Sequence, residues 1–156
     1  MLAERTGMAQ VVSYEDVTAA RPLPLAIAYM PILIVDDYGS MLATLRQMLR
    51  RLGFGNRFEA TDGRMALKII EQRRIELVIS DLRMEDMDGL QLLRAVRASP
   101  TRPSLPFILI SGNADRATVT QAIEAGVTDF IAKPFTVETL SSKLHKIVGA
   151  LVKERL

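Results

Sequence analysis

The chain has 156 residues, 49% hydrophobic and 24% charged, with a net charge of +2. This balance fits one globular domain large enough for a real core, and the small charge, with no Lys/Arg stripe carrying interleaved aromatics, gives no nucleic-acid footprint. Cysteine is absent, which excludes disulfides, thiolate metal sites and a cysteine nucleophile and fits a reducing cytoplasm.

Residues 1–30 show no convincing period. Their greasiest stretch, "PLPLAIAYM" (Pro22 to Met30), follows Glu4, Glu15 and Asp16 and lacks a positive leader, so it does not read as a signal peptide. No apolar run approaches the roughly 20 residues of a membrane span. These residues are expected to form a mobile N-terminal extension, of which residues 1–29 are dispensable for the chemistry.

From Pro31 onward short apolar runs alternate with helical periodicity. "ILIV" (32–35) reads as a strand and stops against Asp36 and Asp37; Met41, Leu45, Met48, Leu49 and Leu52 then recur at helical spacing up to Gly53. "RQMLRR" (46–51) is the wet face of that helix. "NRFEA" (56–60) is the second strand, and Asp62-Gly63 opens a helix carrying Ala66, Ile69 and Ile70. "ELVIS" (76–80) leads to Asp81, and the next helix, with Leu90, Leu93 and Val96, closes at Ser99-Pro100. "FILI" (107–110) leads to Ser111; Val119, Ala122 and Ile123 mark a fourth helix ending at Gly126. "DFIA" (129–132) leads to Lys133, and Leu140, Leu144, Ile147 and Leu151 mark the last helix. The lone His145 lies at a polar position of that helix, leaving Ser-His-Asp catalysis without a candidate.

Strands that are apolar on both faces, alternating with helices, predict an α/β fold with a doubly wound, five-stranded parallel sheet and five helices. In such a sheet ligands bind beyond the carboxyl ends of the strands. Asp36, Asp37, Asp81, Ser111 and Lys133 all fall there, delivered by four different strands. Two adjacent aspartates after a core strand repel one another unless a cation is expected, and clustered carboxylates suit Mg²⁺, a hard ion that takes oxygen ligands. Lys133 supplies a compact positive charge for a phosphoryl oxygen, and an aspartate held beside it can act as a nucleophile and form an acyl phosphate. Each feature alone has a plain reading, as a helix cap, a loop lysine or a local hydrogen-bonding serine. Their joint placement on the correct strands is what points to a site.

"ILIVDDYGSM", "VISDLRMEDMDGLQLLRAVRA", "ILISGNA" and "AGVTDFIAKPF" resemble, in order and spacing, the motifs of the receiver domain of two-component response regulators, the CheY-like family. The resemblance spans residues 31–150, followed by a tail at 151–156, and is nearest to the stand-alone chemotaxis regulators. It implies a flavodoxin-like strand order 2-1-3-4-5 and a Mg²⁺-dependent phosphoacceptor at Asp81, with Asp36, Asp37 and the backbone carbonyl of Arg83 as further metal ligands. It also implies Ser111 and Phe130 as switch residues, Lys133 as the phosphate-pairing lysine, and a cis bond at Lys133-Pro134. By the same resemblance a histidine kinase is the phosphodonor. A protein target, the flagellar motor switch or another signalling protein, is reached through the fourth helix, fifth strand and fifth helix (about 114–148). Because Leu156 follows the last helix, the output is expected to be a protein contact made by a cytoplasmic monomer, without nucleic acid or membrane insertion.

The sequence departs from the chemotaxis pattern at Arg83 (usually Asn), Glu85 (usually Pro), Phe130 (often Tyr) and Ser111-Gly112 (usually Thr-Ala), which bears on phosphoryl lifetime and partner choice. Phosphorelay intermediate or kinase-regulating receiver are alternatives within the family. An Asp-nucleophile phosphohydrolase would need DxDx[TV] after the first strand, which "DDYGS" does not provide. A pseudo-receiver that only binds partners would not need the complete set of Asp36, Asp37, Asp81 and Lys133.

Overall fold

The computed structural model describes residues 28–155. Five strands, β1 (Ile32–Val35), β2 (Arg57–Ala60), β3 (Leu77–Asp81), β4 (Phe107–Ser111) and β5 (Asp129–Ala132), alternate with five helices: α1 (Gly39–Arg51), α2 (Gly63–Gln72), α3 (Gly89–Arg97), α4 (Arg116–Glu124) and α5 (Val137–Arg155). The strands are all parallel, in the order β2-β1-β3-β4-β5. This is the doubly wound arrangement expected from the sequence, with its switch point between β1 and β3.

The uniform apolar runs conceal a period of two. Ile32, Ile34, Leu77, Ile79, Ile108 and Ile110 pack with Leu45, Leu49, Leu140 and Leu144 of α1 and α5 on one side. Leu33, Val35, Val78, Phe107 and Leu109 pack with Ala66, Ile70, Leu92, Leu93 and Ala122 of α2, α3 and α4 on the other. A strand buried on both faces needs apolar residues at every position, so the alternation is invisible in hydropathy. Truncating one such side chain, as in Leu45→Ala, costs about 2–5 kcal/mol.

Two boundaries differ from the sequence expectation. Met30, assigned to the extension, is 1% exposed inside the α1/α5 core. The carbonyls of Ala28 and Tyr29 accept hydrogen bonds from the Gly55 backbone N–H (3.1 Å) and the Asn56 side chain (3.0 Å). The folded body therefore already includes Ala28 to Met30; the rest of the proposed arm, residues 1–27, lies outside the described residues. At the other end α5 continues to Arg155, so residues 151–155 of the expected tail prolong a helix. Strands β3 and β4 also run one residue past the apolar runs, because Leu82 N–H and Lys133 N–H still bond to the carbonyls of Ile110 and Ser111 (both 2.8 Å). Asp81 and Ser111 thus sit on the last rigid residues of their strands.

The helix starts and stops follow local chemistry. Asp62, Asp88 and Asp115 cap α2, α3 and α4 by accepting N–H bonds from Met65, Gln91 and Thr118. At α3 the Gln91 side chain returns a bond to the Asp88 N–H, completing a capping box. Gly89 is required for another reason: a Cβ there would lie 2.2 Å from the Asp81 carbonyl oxygen. Only glycine lets α3 begin against the end of β3.

Candidate metal and phosphoacceptor site

The carboxyl edge of the sheet gathers its charges at the junction of β1, β3 and β5. Asp36 and Asp37 follow β1, Asp81 ends β3 and Lys133 follows β5. Carboxylate oxygens of Asp36, Asp37 and Asp81 all lie within 4.8 Å of one another. Lys133 Nζ stands 2.7 Å from Asp81 Oδ1 and 3.9 Å from Asp36 Oδ2. Asp36 is 1% exposed and Asp81 5%, whereas Asp37 faces solvent.

Desolvation is the main influence on Asp36 and raises its carboxyl above the ordinary aspartate range, with the charges of Asp81 and Asp37 adding to the rise. The Tyr38 backbone N–H, which donates to Asp36 Oδ1 at 2.9 Å, and the Lys133 ammonium act in the opposite direction. Three carboxylates face one lysine here, so the cluster carries excess negative charge in a largely buried place. The donor set is all oxygen and compact, and a hard divalent cation fits it; Mg²⁺ meets those terms. Because Asp37 is exposed, water reaches the cluster from its side.

The other predicted residues stand apart from this cluster. Ser111 is buried, but its hydroxyl turns into its own loop, accepting from the Asn113 N–H (3.0 Å) and donating to the Asn113 carbonyl (3.2 Å). Phe130 is half-buried and packs with the α2/α3/α4 core rather than with the carboxylates. The Arg83 side chain is exposed. Its charge is felt at Asp115, whose carboxyl is held below the ordinary range first by the Thr118 N–H and additionally by Arg83. Glu85 is exposed, and Asp86 beside it takes a left-handed φ of 62°, a conformation aspartate tolerates. Lys133-Pro134 is cis.

Two contributors escaped the sequence reading. The Tyr38 amide that holds Asp36 is a backbone group two residues on, an Asx-type contact whose sequence signal is the aspartate itself. Gly89 could have been noticed as the glycine opening a helix after the Asp81 strand, but its reason, contact with the Asp81 carbonyl, exists only in three dimensions.

The chain is similar to known proteins over most of its length. Residues 32–145 match the family model described as the response regulator receiver domain. The chain is 42% identical over 122 residues to the chemotaxis protein CheY-3 of Vibrio cholerae, covering 78% of this chain and 94% of that protein. It is 40% identical over 118 residues to the chemotaxis protein CheY of Pseudomonas aeruginosa, covering 76% of this chain and 95% of that one. Among solved structures it resembles the receiver domain of a sensor histidine kinase from Pseudomonas aeruginosa, determined with a magnesium ion coordinated in its active-site cleft. That match has a TM-score of 0.71 and 29% identity and covers 78% of this chain and 98% of the other.

Proposed function

The chain belongs to the response regulator receiver family, a family of signalling domains, and from that premise we propose that it is a phosphorylation-dependent switch with Asp81 as its phosphoacceptor. The observation that carries this reading is the 2.7 Å pair between Lys133 Nζ and Asp81 Oδ1 at the centre of the three-carboxylate cluster. A carboxylate on the last residue of a rigid strand, with a cation on one side and an acidic metal cradle on the other, is positioned for in-line attack on phosphorus.

In the proposed reaction an Asp81 carboxylate oxygen bonds to the phosphorus of a phosphohistidine, the P–N bond breaks, and the imidazole leaves with the bonding pair and takes up a proton. Asp36, Asp37 and Asp81, with the Arg83 carbonyl, are the residues that would hold Mg²⁺. When bound, the ion supplies charge neutralisation for the transferring phosphoryl oxygens. Lys133 balances the remaining oxygen charge, and Asp36, fixed by the Tyr38 N–H, keeps the cradle in register. The protein modifies and clears only its own aspartate and turns over no separate substrate. The donor is a histidine kinase; an apolar groove of about 310 Å³ beside Lys133, lined by Met41, Met48, Pro134 and Phe135, offers a seat for it.

The phosphoryl group adds nearly two negative charges and strong acceptors beside β4. Ser111 leaves its bonds to Asn113 and turns toward it, and Phe130 moves into the space this opens beside α4. The surface of α4, β5 and α5 (114–148) then changes for a protein partner. Lacking a phenol hydroxyl, Phe130 must work by packing alone. Its relatives favour a chemotaxis target such as the flagellar motor switch over a phosphorelay role, and the switch works as a cytoplasmic monomer.

Acetyl phosphate with Mg²⁺ is expected to add one phosphoryl group to the protein, and Asp81→Asn to abolish it, as read by intact mass. Ser111→Ala should still be phosphorylated but lose the amide shift changes over 114–148. A phosphoryl group mapped to a serine or threonine, with Asp81 unmodified, would refute the mechanism.

A further inference from the structure

At the amino end of the sheet, away from Asp81, an open cleft of about 670 Å³ lies between α2, α3, the α3–β4 connection and the end of α5. Leu67 and Ile70 of α2, Val96 of α3 and Leu151 of α5 form its apolar part, and Pro100 and Pro106 add two proline rings. Charged side chains share the lining. Arg73 and Arg74, which follow α2, and Arg102 of the α3–β4 connection stand there against Glu71 and Glu76. Three guanidinium groups against two carboxylates leave the lining with one net positive charge.

The arginines are held in place without being neutralised. Arg73 stands over the Phe58 ring, 5.4 Å from its centroid. Arg102 belongs to a connection that the protein fixes from within. Ser99 Oγ accepts the N–H groups of Thr101 (3.2 Å) and Arg102 (3.4 Å), and Arg97 Nη1 donates to the carbonyls of Pro103 and Leu105. Among the described residues, the side chains of Arg74 and Arg102 have no carboxylate within ion-pair distance. A guanidinium fork without a carboxylate matches a phosphate, whose oxygens accept two parallel N–H bonds. The adjoining apolar surface calls for a carbon body to cover it. Small-molecule sites commonly occupy roughly 300–1,000 Å³ and combine apolar walls with a few fixed polar groups.

We propose that this cleft binds a free small organic phosphate. Its apolar, ring-sized body lies against Leu67, Val96 and Leu151, and its phosphate is taken by Arg74 and Arg102. Arg73, engaged with Phe58, adds charge. Glu71 and Glu76 repel the same phosphate, which keeps the affinity modest and makes the ligand's release easy. The site shares no residue with the Asp81 cluster, so binding needs neither Mg²⁺ nor phosphorylation.

The probe is 1-naphthyl phosphate, titrated without Mg²⁺ into the ¹⁵N-labelled full-length protein. The amides of Glu71, Arg74, Glu76, Ser99, Thr101 and Arg102 are expected to shift saturably, with a Kd of about 0.1–1 mM, while those of Asp81 and Lys133 stay in place. Inorganic phosphate and 1-naphthol, which each carry half of the chemistry, should bind at least tenfold more weakly. Arg74→Gln with Arg102→Gln should weaken the probe at least tenfold, and acetyl phosphate should still modify Asp81 in that variant, which shows it folded. The proposal is overturned if the cleft amides do not move at millimolar probe, or if shifts gather only around Asp81 and Lys133. It is equally overturned if 1-naphthol binds as well as its phosphate, or if the double variant binds the probe unchanged.

Discussion

At the carboxyl end of the sheet Asp36 and Asp81 are buried beside a third carboxylate, with Lys133 the cation paired to them. At the amino end Arg97 is drawn inward from the last turn of α3. Its Nε donates to the Gly126 carbonyl at 2.9 Å, and Nη1 donates to those of Pro103 (2.9 Å) and Leu105 (2.7 Å). Desolvation lowers the guanidinium below the ordinary arginine range, yet fixed carbonyl dipoles replace the lost water. The same sheet therefore treats inward-facing charge in two ways. One end neutralises it with the backbone and gains a clamp holding the α3–β4 and α4–β5 connections together. The other leaves it over-supplied with like charge, which costs stability and keeps a cation and a phosphoryl group welcome.

Removing charge at the two ends should thus have opposite signs. Arg97→Met is expected to lower the unfolding free energy by about 2–4 kcal/mol, because the carbonyls it served lose their partner. Urea denaturation reads this, and the folded fraction should still accept phosphate on Asp81. Arg97→Lys should recover little, since one ammonium cannot reproduce the fork. An unchanged denaturation midpoint would end the distinction between the two poles.

Asp36→Asn should act the other way. With divalent cations chelated it is expected to stabilise the fold by about 1 kcal/mol, relieving repulsion while the amide oxygen still accepts the Tyr38 N–H. The same substitution should weaken Mg²⁺ binding at least tenfold by titration. A loss of stability in chelator would mean that Lys133 already balances the site.

The smallest effect belongs to the pair where water competes most. Arg46 of α1 meets Glu59 of the edge strand β2 in a two-pronged contact, Nε–Oε2 at 2.5 Å and Nη2–Oε1 at 2.9 Å, with side chains 45% and 31% exposed. The Arg46 side-chain bond, above all, pulls the Glu59 carboxyl below its usual 4.5. A carboxyl depressed in the folded state adds stability at pH values above 4.5, and that contribution disappears as the pH falls through the lowered value. Glu59→Gln should therefore cost a small, salt-sensitive amount at pH 7 and nothing once the wild-type glutamate is protonated. Thermal melts at both pH values in low and high salt check it.

The sequence was most legible where residue type and periodicity act over a few positions. Asp36, Asp37, Asp81 and Lys133 could be assigned to one edge because each directly follows, or ends, an apolar strand run, and parallel strands present those ends together. Ser111 was assigned to the same edge, but its hydroxyl bonds within its own loop to Asn113, and Phe130 packs with the α2/α3/α4 core; hydroxyl rotation and ring packing are not written in strand order. Met30 was misassigned because one methionine before a strand has no period of its own; the α1/α5 core made it interior.

By itself, then, the order of residues determined the alternation of strands and helices, the caps at Asp62, Asp88 and Asp115, and the charges offered at the strand ends. These follow from local sterics, hydrogen bonding and burial, which reach a few residues at a time. Only the tertiary structure decided that Lys133 pairs with Asp81 at 2.7 Å, that Gly89 alone fits against the Asp81 carbonyl, and that Arg97 finds carbonyls instead of a carboxylate. Those are contacts between segments distant in the chain, fixed when the two apolar faces of the sheet are covered. Their geometry is a property of packing, and no single segment carries it.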